Sequence, residues 1–294
     1  MTNNTEQKAL ATLNKTGSLC LLVDRGRRRC QHFGLCSGGA VDAYAWHWAN
    51  KLIDNNPNSA TLEITLGPCD ITFSHATRIA LCGAEANATL SGRALPPWSS
   101  TRVAAGDKLS VKQAKSGLRA YLAIEGGFTN SGLFGSCEPL KENGQPRSLL
   151  AGDQFEYPIH TRQKQLNRSA HWQAIPSYTE ELILHLHPCY QFEFFSETSI
   201  DNLLNNLFSI GANSNRMGYR LEGKPTVWDK QGIMSEGIAF GSVQIPPDGQ
   251  PIVLLNDRQT IGGYPKIGCV HAADCYSLAQ RRPGQKVRFQ IKPI

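Results

Sequence analysis

Apolar residues recur along this chain in short runs, not in long helical stripes. SLCLLVD (18–24), ATLEITL (60–66), DITFS (70–74), RIALCG (78–83), KLSV (108–111) and RAYLAIEGG (119–127) occupy the first half. ELILHLH (181–187), GSVQIP (241–246), PIVLLND (251–257), GCVHA (268–272) and KVRFQI (286–291) occupy the second. Clusters of Gly, Pro, Asn and Asp separate them. Such runs predict antiparallel strands in sandwiches or barrels, and not alternating βαβ units. Three stretches carry helical spacing instead. VDAYAWHWANKLI (41–53) sets Val41, Tyr44, Ala45, Trp48 and Leu52 on one face, with Asp42 near its start and DNNPN at its end. IDNLLNNLF (200–208) predicts a second short helix, and DCYSLAQRR (274–282) a third, closed by Pro283-Gly284. Prolines beside Asp248-Gly249 predict a tight turn that makes a hairpin with the 251–257 strand.

Between the halves, PIHTRQKQLNRSAHWQAIPSYTE (158–180) is polar and weakly patterned, and reads as a linker. The expected organisation is therefore a β-rich half over 1–157, a linker, and a β-rich half over 181–294. A chain of 294 residues suits two domains or one large β domain.

Composition narrows the function classes. Hydrophobic content of 40% and charged content of 18% describe a globular chain. The net charge of +6 is modest, with Arg25, Arg27, Arg28 and Arg29 clustered. No aromatic-interleaved basic face or zinc-finger spacing accompanies them, so no nucleic-acid partner is expected. No segment approaches the roughly 20 apolar residues that span a bilayer. The start, MTNNTEQKALATLNKTG, lacks the apolar region of a secretory signal. Nine scattered cysteines with no C-x-x-C argue against a disulfide framework and a structural zinc site, and fit a reducing cytoplasm.

GYRLEGKP (218–225) has the spacing G-x-x-x-x-G-K, but Pro225 stands where a phosphate loop needs Ser or Thr. HLHPC (185–189) would place His185, His187 and Cys189 on one side of a strand, yet Pro188 interrupts it and no fourth metal ligand is evident. Metal is not expected. Cys36 and Cys137 sit in Gly/Ser-rich loops without an indicated histidine partner, and read as small apolar fillers. The richer region is NSNRMGYRLEG (213–223) with LLNDRQTIGGYPKIG (254–268). Two readings stand side by side. Asp257 and Arg258 form an internal ion pair that pins a turn, or the region grips a small polar molecule. An arginine fork, an amide and a tyrosine hydroxyl suit a carboxylate or ureido group, and Gly262-Gly263 lets the backbone approach it closely.

These segments resemble a known family. GYRLEG, SEG (235–237) and GSVQIPPDGQPIVLLNDRQTIGGYPKIG carry the resemblance in the second half. Asp24 to Arg27, GGAVDAYAWHWAN (38–50), LEITLGP (62–68) and GLRAYLAIEGG (117–127) carry it in the first. The family is KipA, also called allophanate hydrolase subunit 2 or the biotin-dependent carboxyltransferase family. It includes the C subunit of bacterial 5-oxoprolinase. The resemblance implies a mainly β fold of tandem cyclophilin-like β-barrel domains with a few short helices. It implies work beside a KipI-like B subunit and a third oxoprolinase subunit, with ATP used by the complex to open the lactam of 5-oxoproline to glutamate. The family's other branches imply a biotin-dependent carboxyltransferase acting on urea, or a regulator that binds a KipI-like kinase inhibitor. Asp257, Arg258, Tyr264 and Lys266 become catalytic candidates. Gln259, Gly262, Gly263, Arg216, Tyr219, Arg220 and, from the first half, Asp42 become candidates to bind a small amide or lactam. Departures from the family pattern lie at Arg29, CSGGAVD (36–42), GSCEP (135–139), the short KENGQPRSLLAGD (141–153) and Cys189.

Overall fold

A computed structural model describes residues 8–129, 132–160, 167–230 and 232–292. The first seven residues of the polar start and residues 161–166 of the expected linker lie outside them. The chain divides into two compact units, Met1–Arg27 with Gly38–Pro176, and Arg28–Ser37 with Ser177–Ile294.

The first unit runs β1 (Lys8–Lys15), β2 (Leu19–Val23), helix α1 (Ala43–Leu52), β3 (Thr61–Thr65), β4 (Cys69–Phe73), β5 (Thr77–Glu85), β6 (Thr89–Leu90), β7 (Arg93–Ala94), β8 (Ser99–Val103), β9 (Lys108–Val111), β10 (Ser116–Ile124) and β11 (Gln154–Pro158). Two sheets result, ordered β11-β1-β4-β9-β6-β7 and β2-β3-β10-β5-β8. Leu13, Ile71, Phe73 and Leu109 from the first sheet share one apolar core with Leu22, Leu62, Ile79 and Leu122 from the second. Strand β5 is buried along all but its last residue, because α1 packs against it and β10. A strand covered on both faces reads as a continuous apolar run, as RIALCG does.

Strand β1 was not among the expected strands. Its alternation is carried by Ala9, Ala11 and Leu13, and alanine gives little strand signal against a polar background. Helix α1 begins where expected, with the Asp42 carboxylate accepting from Ala45 N–H at 3.0 Å. Its buried face differs from the expected one. Ala45, Trp46, Ala49 and Leu52 face inward, while Tyr44 is exposed.

The loops that depart from the family pattern in this unit are built around buried charge. Arg27 meets Glu138 at 2.7 Å with both side chains fully buried. Asp24 accepts from Gly26 N–H at 2.8 Å, the Ser136 hydroxyl at 2.7 Å and Cys137 N–H at 2.8 Å. Gly38, at φ 59°, fits here because a Cβ would lie 1.9 Å from a Glu138 carboxylate oxygen.

The second unit continues with β12 (Leu182–Pro188), α2 (Glu197–Leu204), β13 (Phe208–Ile210), β14 (Gly218–Glu222), β15 (Glu236–Gly237), β16 (Ser242–Gln244), β17 (Ile252–Leu254), β18 (Ile261–Gly262), β19 (Lys266–Val270), α3 (Ala272–Leu278) and β20 (Lys286–Ile291). Seven of these strands close a barrel in the order β12-β19-β16-β17-β14-β13-β20. The mainly β class expected from the sequence is thus observed. Closure comes from a parallel pairing of β12 with β20, which leaves neither strand an open edge. Leu182, Leu184 and Leu186 alternate inward along β12. Strands β16 and β17 form the expected hairpin, with Gly249 N–H donating to Pro246 O across the turn. Helix α2 starts earlier than expected, capped by Ser196, and Phe208 belongs to β13. Helix α3 likewise spans Ala272–Leu278, not 274–282.

Candidate functional site

The stretch between β17 and β19 is organised by one ion pair. Arg216 donates from Nε and Nη2 to both carboxylate oxygens of Asp257, at 2.7 and 2.9 Å, and both residues are buried. Asp257 N–H also donates to Arg216 O at 3.0 Å. This bidentate fork stands in place of an Asp257–Arg258 pair, one of the two readings the sequence left open. Asp257 is fixed by Arg216, and its neighbour Arg258 serves elsewhere.

Arg258 is only 7% exposed. Its Nε donates to Ile238 O and its Nη1 to Leu255 O, each at 3.1 Å. Among the described residues no carboxylate forms an ion pair with it. Burial pushes its guanidinium below the ordinary value, while the Cys269 and Cys36 thiols act weakly the other way. An arginine still keeps its proton under such pressure. It lines a pocket of about 310 Å³ shared with Gln259, Tyr264, Arg220, Asn213, Asn215 and Gln244, on apolar walls that include Ile238, Ile252 and Leu254. A desolvated cation among amides and a phenol has the chemistry that suits a small anion with further hydrogen-bonding groups.

Lys266 takes a different place. Its ammonium meets Glu236 at 2.9 Å and donates to Gly237 O at 3.2 Å. The same carboxylate accepts from the Tyr190 hydroxyl at 2.6 Å and the Gln191 amide at 3.1 Å. Burial works against the Glu236 charge, yet the hydrogen bonds from Lys266 and Tyr190 hold its carboxyl below the ordinary 4.5. These groups tether the ribbon in which β15 pairs with β18. Ile238 follows β15 and carries the carbonyl that Arg258 grips. Lys266 therefore holds a wall of the pocket.

Tyr219 is buried, and its hydroxyl donates towards Ala279 O and Arg281 O at 3.1 and 3.3 Å, away from the pocket lining. Gly262 lies against the pocket wall: a Cβ there would lie 2.5 Å from Ile238 Cδ1 and 2.7 Å from Gln244 Nε2, so these side-chain ends would have to shift. Gly263 has more room, with Ser235 Oγ nearest at 3.2 Å. Asp42 belongs to the first unit and caps α1. The pocket therefore gathers Arg258, Gln259, Tyr264 and Arg220 from the expected set, with Gly262 behind its wall. Asp257, Arg216, Tyr219 and Lys266 act as supports.

The pocket also holds Gln244, Asn213 and Asn215, which sequence reasoning did not select. Asn213 and Asn215 lay inside a quoted motif. Gln244 is hidden in an apolar run, where a lone glutamine between Val243 and Ile245 is the only signal.

His185 and Cys189 are engaged locally. His185 Nδ1 lies 2.9 Å from Asp274 Oδ2, and the Cys189 thiol donates to Lys266 O at 2.8 Å. Among the described residues no group of three His, Cys, Asp or Glu is placed to hold a metal ion. Burial beside Asp24 pushes the Cys137 thiol far up, the reverse of an activated nucleophile. GYRLE forms strand β14 of the barrel, not the turn of a phosphate loop.

Comparison with known proteins gives this geometry its context. The family model for the carboxyltransferase domain, subdomain A and B, matches residues 33–291. The chain is 35% identical to the 5-oxoprolinase C subunit of Escherichia coli, over 94% of this chain and 89% of that protein. It is 34% identical to the 5-oxoprolinase C subunit of Haemophilus influenzae, over 93% and 88%. A putative urea carboxylase of Emericella nidulans is 31% identical over 95% of this chain, which corresponds to 24% of that longer protein. Among solved structures, that of TTHA0988 superposes with a TM-score of 0.87 at 29% identity, covering 98% of this chain and 56% of the other. The Kluyveromyces lactis urea amidolyase shares the fold, with a TM-score of 0.85 at 24% identity. The chain belongs to the carboxyltransferase domain, subdomain A and B, family.

Proposed function

We propose that this chain is the C subunit of an ATP-dependent 5-oxoprolinase, acting with a KipI-like B subunit and a third subunit to open the lactam of 5-oxoproline to glutamate. The observation that carries the reading is Arg258, a buried cation without a carboxylate partner among the described residues, set in a pocket of about 310 Å³. 5-Oxoproline supplies the missing anion, whereas urea is neutral. The two relatives of comparable length are both named as the C subunit of 5-oxoprolinase.

In this reading Arg258 takes the substrate carboxylate, with Arg220 reinforcing the positive field. Gln259 and Tyr264 offer donors where negative charge grows on the ring carbonyl. Asp257 keeps Arg258 aimed at the pocket by accepting Arg216, and so is not the general base. ATP supplies the driving force for ring opening when bound to the complex. The nine cysteines are all free thiols, which fits a cytoplasmic complex. A carboxyltransferase that uses carboxybiotin is the second reading, supported by the urea carboxylase relative and by the anionic carboxyl that such a donor carries.

The test is a coupled assay of the three co-expressed subunits, following glutamate and ADP from 5-oxoproline plus ATP. Release that disappears when this chain is omitted is the expected outcome. A stably assembled complex with no turnover contradicts the proposal, and avidin-sensitive carboxylation of urea once a biotin carrier and biotin carboxylase are supplied with bicarbonate and ATP establishes the second reading.

A further inference from the structure

Gln244 is the most buried of the pocket's polar residues whose side chain has no hydrogen-bond partner among the described residues. Its side chain is 6% exposed, and among the described residues no group hydrogen-bonds to its amide. Its backbone pairs with Ile252 and Lys266 in the barrel, so the side chain is fixed at its root by two neighbouring strands. Gly262 makes room for it, since a Cβ there would sit 2.7 Å from Nε2. Its amide therefore faces the pocket with its donor and acceptor available to a ligand. Here it lines the same pocket as the unpaired Arg258.

We infer that Gln244 reads the amide edge of the substrate, which is a cyclic amide bearing a carboxylate. The inference rests on the reading of this pocket as the 5-oxoproline site and adds the group that recognises the ring. In a five-membered lactam the ring forces N–H and C=O onto the same side. A primary amide presents the same two groups with opposite roles. Gln244 Oε1 then accepts from the ring N–H while Nε2 donates to the ring carbonyl, giving two parallel hydrogen bonds. Arg258 holds the carboxylate at the other end. An open-chain secondary amide, whose N–H and C=O point in opposite directions in the trans form, cannot make both bonds at once. Gln244 thus selects a ring and Arg258 selects an anion.

The experiment measures how well three compounds inhibit or support turnover by the reconstituted complex. They are 5-oxoproline, its lactone analogue with ring oxygen in place of N–H, and 2-pyrrolidinone, which lacks the carboxylate. The wild-type complex is expected to prefer lactam over lactone by about tenfold, the scale of a lost buried hydrogen bond. Gln244→Met should bring that ratio close to one, whereas the near-isosteric Gln244→Glu, which guards against misfolding and keeps an acceptor for the ring N–H, should retain the preference while weakening both compounds through the lost donor to the ring carbonyl. Arg258→Ala should weaken lactam and lactone alike and leave 2-pyrrolidinone unchanged. A lactam preference that survives Gln244→Met in an assembled complex overturns the inference while the Arg258 result still upholds the pocket. An Arg258→Ala complex with wild-type responses to all three compounds overturns the pocket reading and the inference together.

Discussion

Two adjacent residues show how differently neighbours in sequence can serve. Asp257 points to Arg216 and Arg258 to the pocket, although both are buried charges in one loop. Their replacement should have opposite signatures. Asp257→Ala removes the carboxylate to which both Nε and Nη2 of the buried Arg216 donate, and urea unfolding should show a loss of about 3–5 kcal/mol. Arg258→Ala removes a cation that makes no ion pair within the described chain, so its unfolding midpoint should fall far less. Of the two readings open in the sequence, an Asp257–Arg258 ion pair is not what forms; Asp257 pairs with Arg216. Side-chain direction in an irregular loop is set by tertiary partners, and Arg216 lies well upstream on another segment. Gln244 was not legible for a related reason: a glutamine inside GSVQIP looks like a solvent-facing strand position until barrel closure and the β15–β18 ribbon cover it. Arg258, Gln259 and Tyr264 were legible because their donors cluster beside a glycine pair in a single motif.

At the scale of elements, the second unit's site depends on a small ribbon held from outside. Lys266, Tyr190 and Gln191 all converge on Glu236, one residue before Gly237 and two before the Ile238 carbonyl that Arg258 grips. Lys266→Met should therefore act on substrate binding more than on the chemical step, raising the KM for 5-oxoproline severalfold with a smaller change in kcat; Lys266→Arg should recover most of it. A kcat loss with unaltered KM would place Lys266 in the chemistry instead. In the first unit Asp42 is an N-cap, and Asp42→Ala should cost about 1 kcal/mol of stability by denaturant titration. The β8–β9 connection offers a pH test. The Ser91 hydroxyl and Ala104 N–H hold the Asp107 carboxyl below its ordinary 3.8. A depressed folded pKa contributes stability that is complete above the unfolded value and lost as pH falls through the folded one. The melting temperature should thus decline as pH drops below about 4, and less steeply in Asp107→Asn. Strand positions were read well from short apolar runs. Strand β1 escaped because its inward residues are small, and the face of α1 was misplaced because three aromatic residues crowd one short helix, so hydrophobicity alone does not choose between them.

For the whole molecule, the mainly β architecture followed from run length and turn residues, and the family resemblance added the functional class. Neither indicated that residues 28–37 fold with the second unit, since that arrangement depends on contacts far apart in sequence. The family holds proteins named for lactam hydrolysis and for urea carboxylation, so the fold alone does not choose the substrate. Arg258, without a carboxylate partner among the described residues, supports the proposal because 5-oxoproline carries an anion and urea does not. The most direct measurement is the KM for 5-oxoproline of the reconstituted complex carrying Arg258→Ala, beside wild type under saturating ATP. Loss of a charge-assisted hydrogen bond of about 1.5–3 kcal/mol predicts a KM raised roughly ten- to hundredfold. An unchanged KM in a fully assembled complex would contradict the account, because the substrate carboxylate would then be held by some other group.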